Sequence, residues 1–370
     1  MDETGIYYNS LLTVISLERT NLPLVAPRVY LTAAGNALPY NCATCYPHID
    51  GLLEIGAAAS YYWDVKQMAH IMSLLDPTAF KAFLAFVLGL PPVKGKPGFQ
   101  ASNGIDLFTG ELFGAWYAFN SDALFTSIFT YIVTSGDTAF SKQSIRGKTV
   151  AEWLLELATH WKQYSLASAT PPEPFLADYG SFAGDFLECV PTYTNTVPAL
   201  QAANAWMLRR TAELALLHDA GSGGGTGGGQ LTALEWHGEG NVSRWVRRLD
   251  DSSSAARLRR SAELIVNATL RRLWVEGGGG VWGCLNGANN TLTPVRTIVD
   301  FQAISHLIGS DLNSSVRKQM ADFFVRELAY PCVGCHWPIA LSREDGLKFI
   351  DRPDHGNFRD AFIDCDTASV

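Results

Sequence analysis

The stretch LECVPTYTNTVPALQAANAWMLRRTAELA, residues 187–215, decides how the chain is read. Its second half places Leu200, Ala203, Met207 and Leu214 along one face at helical spacing, which predicts an amphipathic helix over 195–218. Its first half holds a carboxylate, Glu188, between Leu187 and Cys189-Val190. Apolar neighbours disfavour the charged form of a carboxyl group and keep it protonated towards neutral pH. One segment therefore joins a helix to a candidate general acid.

The same periodicity extends outward in both directions. Val150, Leu154, Leu157 and Trp161 share a face, as do Leu258, Ala262, Ile265 and Leu273, and again Leu312, Val316, Met320 and Phe323. Helices are expected near 6–19, 62–75, 78–89, 112–134, 148–164, 195–218, 253–275, 294–308 and 312–330. Asp76-Pro77 supplies an N-cap with proline at the first helical position, and Ser310-Asp311 offers a cap before the last helix. Strand-like alternation is scarce; the GGGG at 277–280 followed by VWGCL reads as a tight turn and a short strand.

Many helices separated by long irregular segments do not suit a small bundle. They fit an all-α (α/α)6 toroid, in which helical hairpins ring a central cavity and long loops gather at one mouth. A helical solenoid competes, but no fixed-period repeat supports it. Residues 1–370 are read as a single domain, slightly short of a complete ring at the C-terminal end. The run GSGGGTGGG at 221–229 is a flexible insertion within it, because glycine loses the most backbone freedom on ordering.

Composition limits the partners. The 370 residues are 47% apolar and 17% charged with a net charge of −8, which leaves no basic face for nucleic acid or an anionic membrane. No window supplies the run of about 18 apolar residues that a membrane-spanning helix needs. The start, Met-Asp-Glu-Thr-Gly, has neither a basic nor an apolar leader segment, so the chain at face value is expected to be cytoplasmic; a secretory route would need a longer N-terminus. The 10 Trp, 13 Tyr and 19 Phe exceed what a core needs, and surplus aromatics often line sites for amphipathic ligands such as sugars.

Two Cys-x-x-Cys pairs, Cys42/Cys45 with His48 nearby and Cys332/Cys335 beside His336, could hold tetrahedral zinc if the chain ends met. Local disulfides and unremarkable free cysteines are the alternatives, the last favoured, so no metal is assigned. Asn241, Asn267, Asn289 and Asn313 each begin an Asn-x-Ser/Thr triplet, which matters only in a secreted context.

Three clusters set polar groups in aromatic or apolar company. Tyr61-Tyr62-Trp63-Asp64 pairs a carboxylate with rings that can stack on a pyranose, although an Asp cap among core aromatics would look the same. Asp178-Tyr179-Gly180, followed by Asp185, Glu188 and Tyr193, is a carboxylate-rich loop ahead of a helix. Asp351-Arg352-Pro353-Asp354-His355-Gly356 could place a base where water is activated, or form an ordinary surface Asp-Arg turn. Asn204, Arg296 and Asp300 are polar residues inside helical stretches.

In their order along the chain these segments resemble the six-hairpin glycosidases, most closely glycoside hydrolase family 63 and its bacterial relatives. YYWDVKQMAHIMSLLDP is similar to that family's Trp-Asp segment, TYIVTSGD at 130–137 to a helix end, and the 187–215 stretch to the segment that carries the general acid. The resemblance covers about residues 7–356. It implies an inverting α-glucosidase without cofactor or required metal. Glu188 would be the general acid, where the family commonly has Asp, and Asp354 the general base. Asp64, Trp63, Tyr62, Asp178, Tyr179, Tyr193, Asn204 and His355 would bind the carbohydrate. A carbohydrate-binding protein that has lost hydrolysis is the alternative from another class.

Overall fold

A computed structural model of the chain describes residues 18–20, 25–26, 28–30, 59–91, 104–107, 110–113, 117–180, 193–222 and 254–325. These are mostly helical, as the periodicity predicts, with short antiparallel strand pairs between the helices. The contacts divide the chain into two compact units, Met1–Leu157 and Ala158–Val370.

In the first unit, β1 (Glu18–Arg19) pairs with β2 (Val29–Tyr30), and β3 (Ala59–Tyr61) leads straight into α1 (Tyr62–Leu75). Helix α2 (Pro77–Gly89) follows after a single residue, Asp76. β4 (Gly104–Asp106) pairs with β3 on one side and β5 (Leu112–Phe113) on the other. Then come α3 (Asn120–Ser135), α4 (Thr138–Lys142) and the small pair β6 (Ser144–Ile145) and β7 (Lys148–Thr149). The division between units falls within α5 (Val150–Thr159). The core of the first unit is built from Val65, Ala69 and Met72 of α1, Phe80, Leu84 and Leu88 of α2, and Phe125, Ile128 and Ile132 of α3.

Two aspartates perform the same structural task at its corners. Asp76 accepts from Ala79 N–H at 3.1 Å to cap α2, from the Tyr30 hydroxyl at 3.2 Å, and pairs with Arg28 at 2.9 Å. Asp137 accepts from Phe140 N–H at 3.1 Å to cap α4, from Tyr131 at 2.9 Å, and pairs with Lys81 at 2.7 Å. Burial raises both tyrosines to a pKa of about 12, and the aspartate charge adds to it. Burial works against the Asp137 carboxylate, but Lys81, Tyr131 and the Phe140 amide outweigh it and hold its pKa low. Asp76→Ala removes a cap and strands a buried phenol together. It should therefore lower unfolding free energy by about 2–4 kcal/mol, measured by urea denaturation; a loss within experimental error would refute this role for the corner.

In the second unit a 3-10 turn (His160–Tyr164) leads into β8 (Ser165–Leu166), which pairs with β9 (Glu173–Ala177). Helix α6 (Pro198–Ser222) packs along α7 (Ser254–Leu273). The hairpin of β10 (Trp282–Asn286) and β11 (Thr291–Val295) follows, then α8 (Ile298–Leu307), a 3-10 turn (Gly309–Asp311) and α9 (Ser314–Phe323). Leu200, Ala203 and Met207 are buried from α6, with Ala262, Ile265 and Leu273 from α7, as the spacing requires.

Several boundaries differ from expectation. Glu18 and Arg19 are strand, not the end of a helix over 6–19; the rest of that range lies outside the described residues. Leu112 and Phe113 pair with Ile105 and Gly104, so the helix expected from 112 starts at Asn120. The 148–164 helix is an α-helix only to Thr159 and tightens to 3-10 after it. Pro294 and Val295 still belong to β11, and Thr297 caps α8 through Val299 N–H at 3.1 Å. Ser310-Asp311 does not cap the last helix. Leu312 is buried in extended conformation, which moves the cap to Asn313, whose side chain accepts from Val316 N–H at 2.9 Å. Helix α6 also runs on to Ser222, and the remainder of the glycine run, 223–229, lies outside the described residues.

Candidate functional site

The described residues on either side of the 181–192 stretch converge where β9 ends, where α6 begins and where the β10–β11 hairpin passes. Asp178 follows β9 directly, and its carboxylate accepts from Gly180 N–H at 2.8 Å and Gly287 N–H at 2.9 Å. This ties the strand end to the hairpin turn. The Asn195 amide donates to the Gly180 carbonyl at 2.8 Å, and the Tyr179 amide donates to the Asn195 carbonyl at 3.3 Å. Both Gly180 and Asn195 have positive φ, 92° and 66°, which glycine and asparagine tolerate best. Residue 196 then bridges to Leu285 through two backbone hydrogen bonds. The carboxylate-rich stretch 181–192 thus starts and finishes at one pinned point.

Beneath that point the polar side chains are paired inside the protein. The Tyr179 hydroxyl and Asn204 exchange hydrogen bonds at 2.9 and 3.2 Å, and the rings of Tyr179 and Tyr164 stand 4.9 Å apart. Gln201, one turn before Asn204, accepts from Ala177 N–H and donates to its carbonyl, each at 3.0 Å, in the manner of another strand. Tyr193 donates to Asp300 Oδ1 at 2.6 Å, and Ala199 N–H donates to the same oxygen at 2.9 Å. Asp300 therefore sits in the first turn of α8 while capping α6.

Burial raises the Asp300 pKa to about 7, against the opposing pull of the Tyr193 and Ala199 hydrogen bonds. Burial, the Asp300 charge and the Cys284 thiol together push Tyr193 well above the usual phenol range. Asp300 Oδ2 and the Trp282 indole N–H have no hydrogen-bond partner among the described residues, and both residues line the same small void with Thr297 and Met320.

The Trp-Asp cluster belongs to the first unit and occupies the first turn of α1. Tyr61, not Asp64, is the N-cap residue there. Asp64 is half-buried in the first turn, where the helix end favours a carboxylate. Trp63 meets Phe119 edge-on at 4.9 Å, and Lys66 covers its face at 4.7 Å. Tyr62 has no exposed surface and packs as core. Tyr193 is 1% exposed and Asn204 3%. Glu188, Asp185, Asp354, His355 and the two Cys-x-x-Cys pairs lie outside the described residues. Cys284 is buried; among the described residues no group of three or more His, Cys, Asp or Glu side chains could hold a metal ion, and no helix is long and apolar enough to cross a membrane.

Gln201 is the site residue that the sequence did not point to, and Asp300 stood out there only as a polar residue inside a helical stretch, with no partner named for it. Gln201 carried a faint signal, a second amide one turn from Asn204 in the otherwise apolar run LQAANAW.

No protein-family model matches the chain, and no curated protein is significantly similar to it. Among solved structures it is similar to a rhamnosidase from Klebsiella oxytoca with rhamnose bound, at 13% identity and a TM-score of 0.43. The match takes in 74% of this chain and 42% of that one, so the chain spans less than half of the rhamnosidase. That likeness is too distant to carry fold or activity across.

Proposed function

We propose that the protein is a glycoside hydrolase of the six-hairpin type, an inverting enzyme acting on an α-glucoside or related oligosaccharide. The observation that supports this best is the pinned base of the 181–192 stretch, because a general acid must be held in place relative to its substrate. In this reading Glu188 protonates the glycosidic oxygen. Asp354 takes a proton from a water that attacks the anomeric carbon from the opposite face, which asks for carboxyl groups roughly 6.5–9.5 Å apart. Asp64, Trp63 and His355 contact the sugar. Within each unit buried residues, Tyr62 in the first and Tyr179, Tyr193 and Asn204 in the second, support the contacting side chains.

A second reading, a carbohydrate-binding protein without hydrolysis, draws on the same burial, since these polar groups are spent on one another. The two are separated by assaying glucose release from α-linked disaccharides and nitrophenyl glycosides. The wild type should turn over at least one substrate, while Glu188→Gln abolishes turnover and largely preserves sugar binding. Sugar binding without turnover by either protein would eliminate the hydrolase and leave the binding protein.

A further inference from the structure

Three of the four Asn-x-Ser/Thr triplets fall on described residues, and the fold treats them very differently. Asn267 lies in the middle of α7. Its partner Thr269 is completely buried, and the Thr269 hydroxyl donates to the Ile265 carbonyl at 2.8 Å. A transferase that reads the hydroxyl two residues on would have to unwind α7 to reach it. Asn313 is the N-cap of α9. Its side-chain oxygen is held by Val316 N–H, and the Ser315 hydroxyl accepts from Gln319 at 3.2 Å. Reading this triplet opens the first turn of α9.

Asn289 is in another setting. It lies in the exposed turn between β10 and β11, and Thr291 is the first, exposed residue of β11. The Asn289 side-chain oxygen accepts from Thr291 N–H at 3.0 Å, while no hydrogen bond engages its Nδ2 or the Thr291 hydroxyl among the described residues. The turn is firmly built from both sides. Asn286 Oδ1 accepts from Ala288 N–H at 2.9 Å, Arg272 donates to Asn290 Oδ1, and Asp178 holds Gly287 N–H. Asn290 takes the positive φ, 55°, that lets the chain reverse here.

We propose that Asn289 is an N-glycan acceptor that the folded protein presents ready for modification, and that Asn267 and Asn313 are closed to it once their helices have formed. The donor is a polyprenyl-diphosphate oligosaccharide. The bond from sugar C1 to the diphosphate oxygen breaks, the diphosphate leaves with the electron pair, C1 bonds to Nδ2, and the amide passes one proton to the transferase's base. A glycan at this turn projects from the hairpin without displacing a buried group, since Ala288, Asn289 and Asn290 are all exposed. The inference is independent of the hydrolase reading.

The test uses the purified folded chain carrying Asn241→Gln, so that only the three described triplets remain. It is incubated with an oligosaccharyltransferase and its lipid-linked donor, then analysed by intact mass and peptide mapping. One glycan mass per chain is expected, at Asn289, and lost in Asn289→Gln. A synthetic peptide of residues 261–275, which cannot keep the packing of α7, should be modified at Asn267 under the same conditions. Absence of glycan at Asn289, or its presence at Asn267 or Asn313 in the folded chain, would overturn the proposal. An unmodified peptide would overturn the explanation that α7 hides its triplet.

Discussion

Asp300→Asn stabilises the second unit at pH 8 and leaves it nearly unchanged at pH 4. The wild-type carboxyl keeps its proton to about pH 7 when folded, whereas its ordinary value is 3.8. Between those two values the folded chain binds one more proton than the unfolded chain, so wild-type stability falls as pH rises through the window. Below it both states are protonated, and above it both are ionised, so the contribution is flat at either end. The asparagine keeps an acceptor for Tyr193 and Ala199 but cannot ionise. The difference between the two proteins should therefore grow by roughly 1.4 kcal/mol per pH unit, to on the order of 4 kcal/mol by pH 8. Subtracting the curves also cancels groups such as Asp137, whose lowered pKa pulls the total the other way. Urea melts of both proteins from pH 4 to 8 give this directly, and a difference that does not change with pH would show that Asp300 is ionised throughout.

Gly280→Ala should be the most damaging single-methyl change in the second unit. A Cβ at this position would stand 2.2 Å from the Gln319 carbonyl oxygen and 2.5 Å from Phe323 Cβ, and its φ of 107° is one that side chains rarely adopt. Backbone strain of about 1–3 kcal/mol adds to overpacking of similar size. The neighbour cannot simply rotate away, because the closest atom is backbone of α9. The expected loss is about 4 kcal/mol or more, seen as a lowered melting temperature and faster amide exchange in α9. Gly277→Ala is the control, since it shares a positive φ, 71°, with open space around it and should cost only the strain. Equal losses for the two variants would show that α9 does not press on the turn.

How much of this could be read in the sequence depended on whether the deciding interaction was local. Asp76-Pro77 announced both its cap and the helix after it, because the Asp76 carboxylate and the Ala79 amide it binds are three residues apart. Leu112 and Phe113 misled because two apolar residues before a helix fit its period equally well; what makes them strand is their pairing with β4. Ser310-Asp311 and Asn313 were both respectable caps, and the choice between them is settled by burial of Leu312, which no short-range rule contains. The site follows the same division. Asp178, Tyr179, Tyr193 and Asn204 stood out as polar residues in apolar company, yet the partner of Tyr193 is Asp300, 107 positions further on. Gln201 was missed because a glutamine that imitates a strand edge differs in no way from a solvated one until β9 is beside it.

The pairing of Gly180 with Asn195 is made only of main-chain groups, and this has an evolutionary consequence. Once the two ends of a segment are fixed, doubling the length between them adds only about 0.6 kcal/mol of closure entropy. A change in the number of residues between 181 and 192 should therefore leave that main-chain pairing standing at a small cost in closure entropy, which opens the length of the segment to evolutionary change.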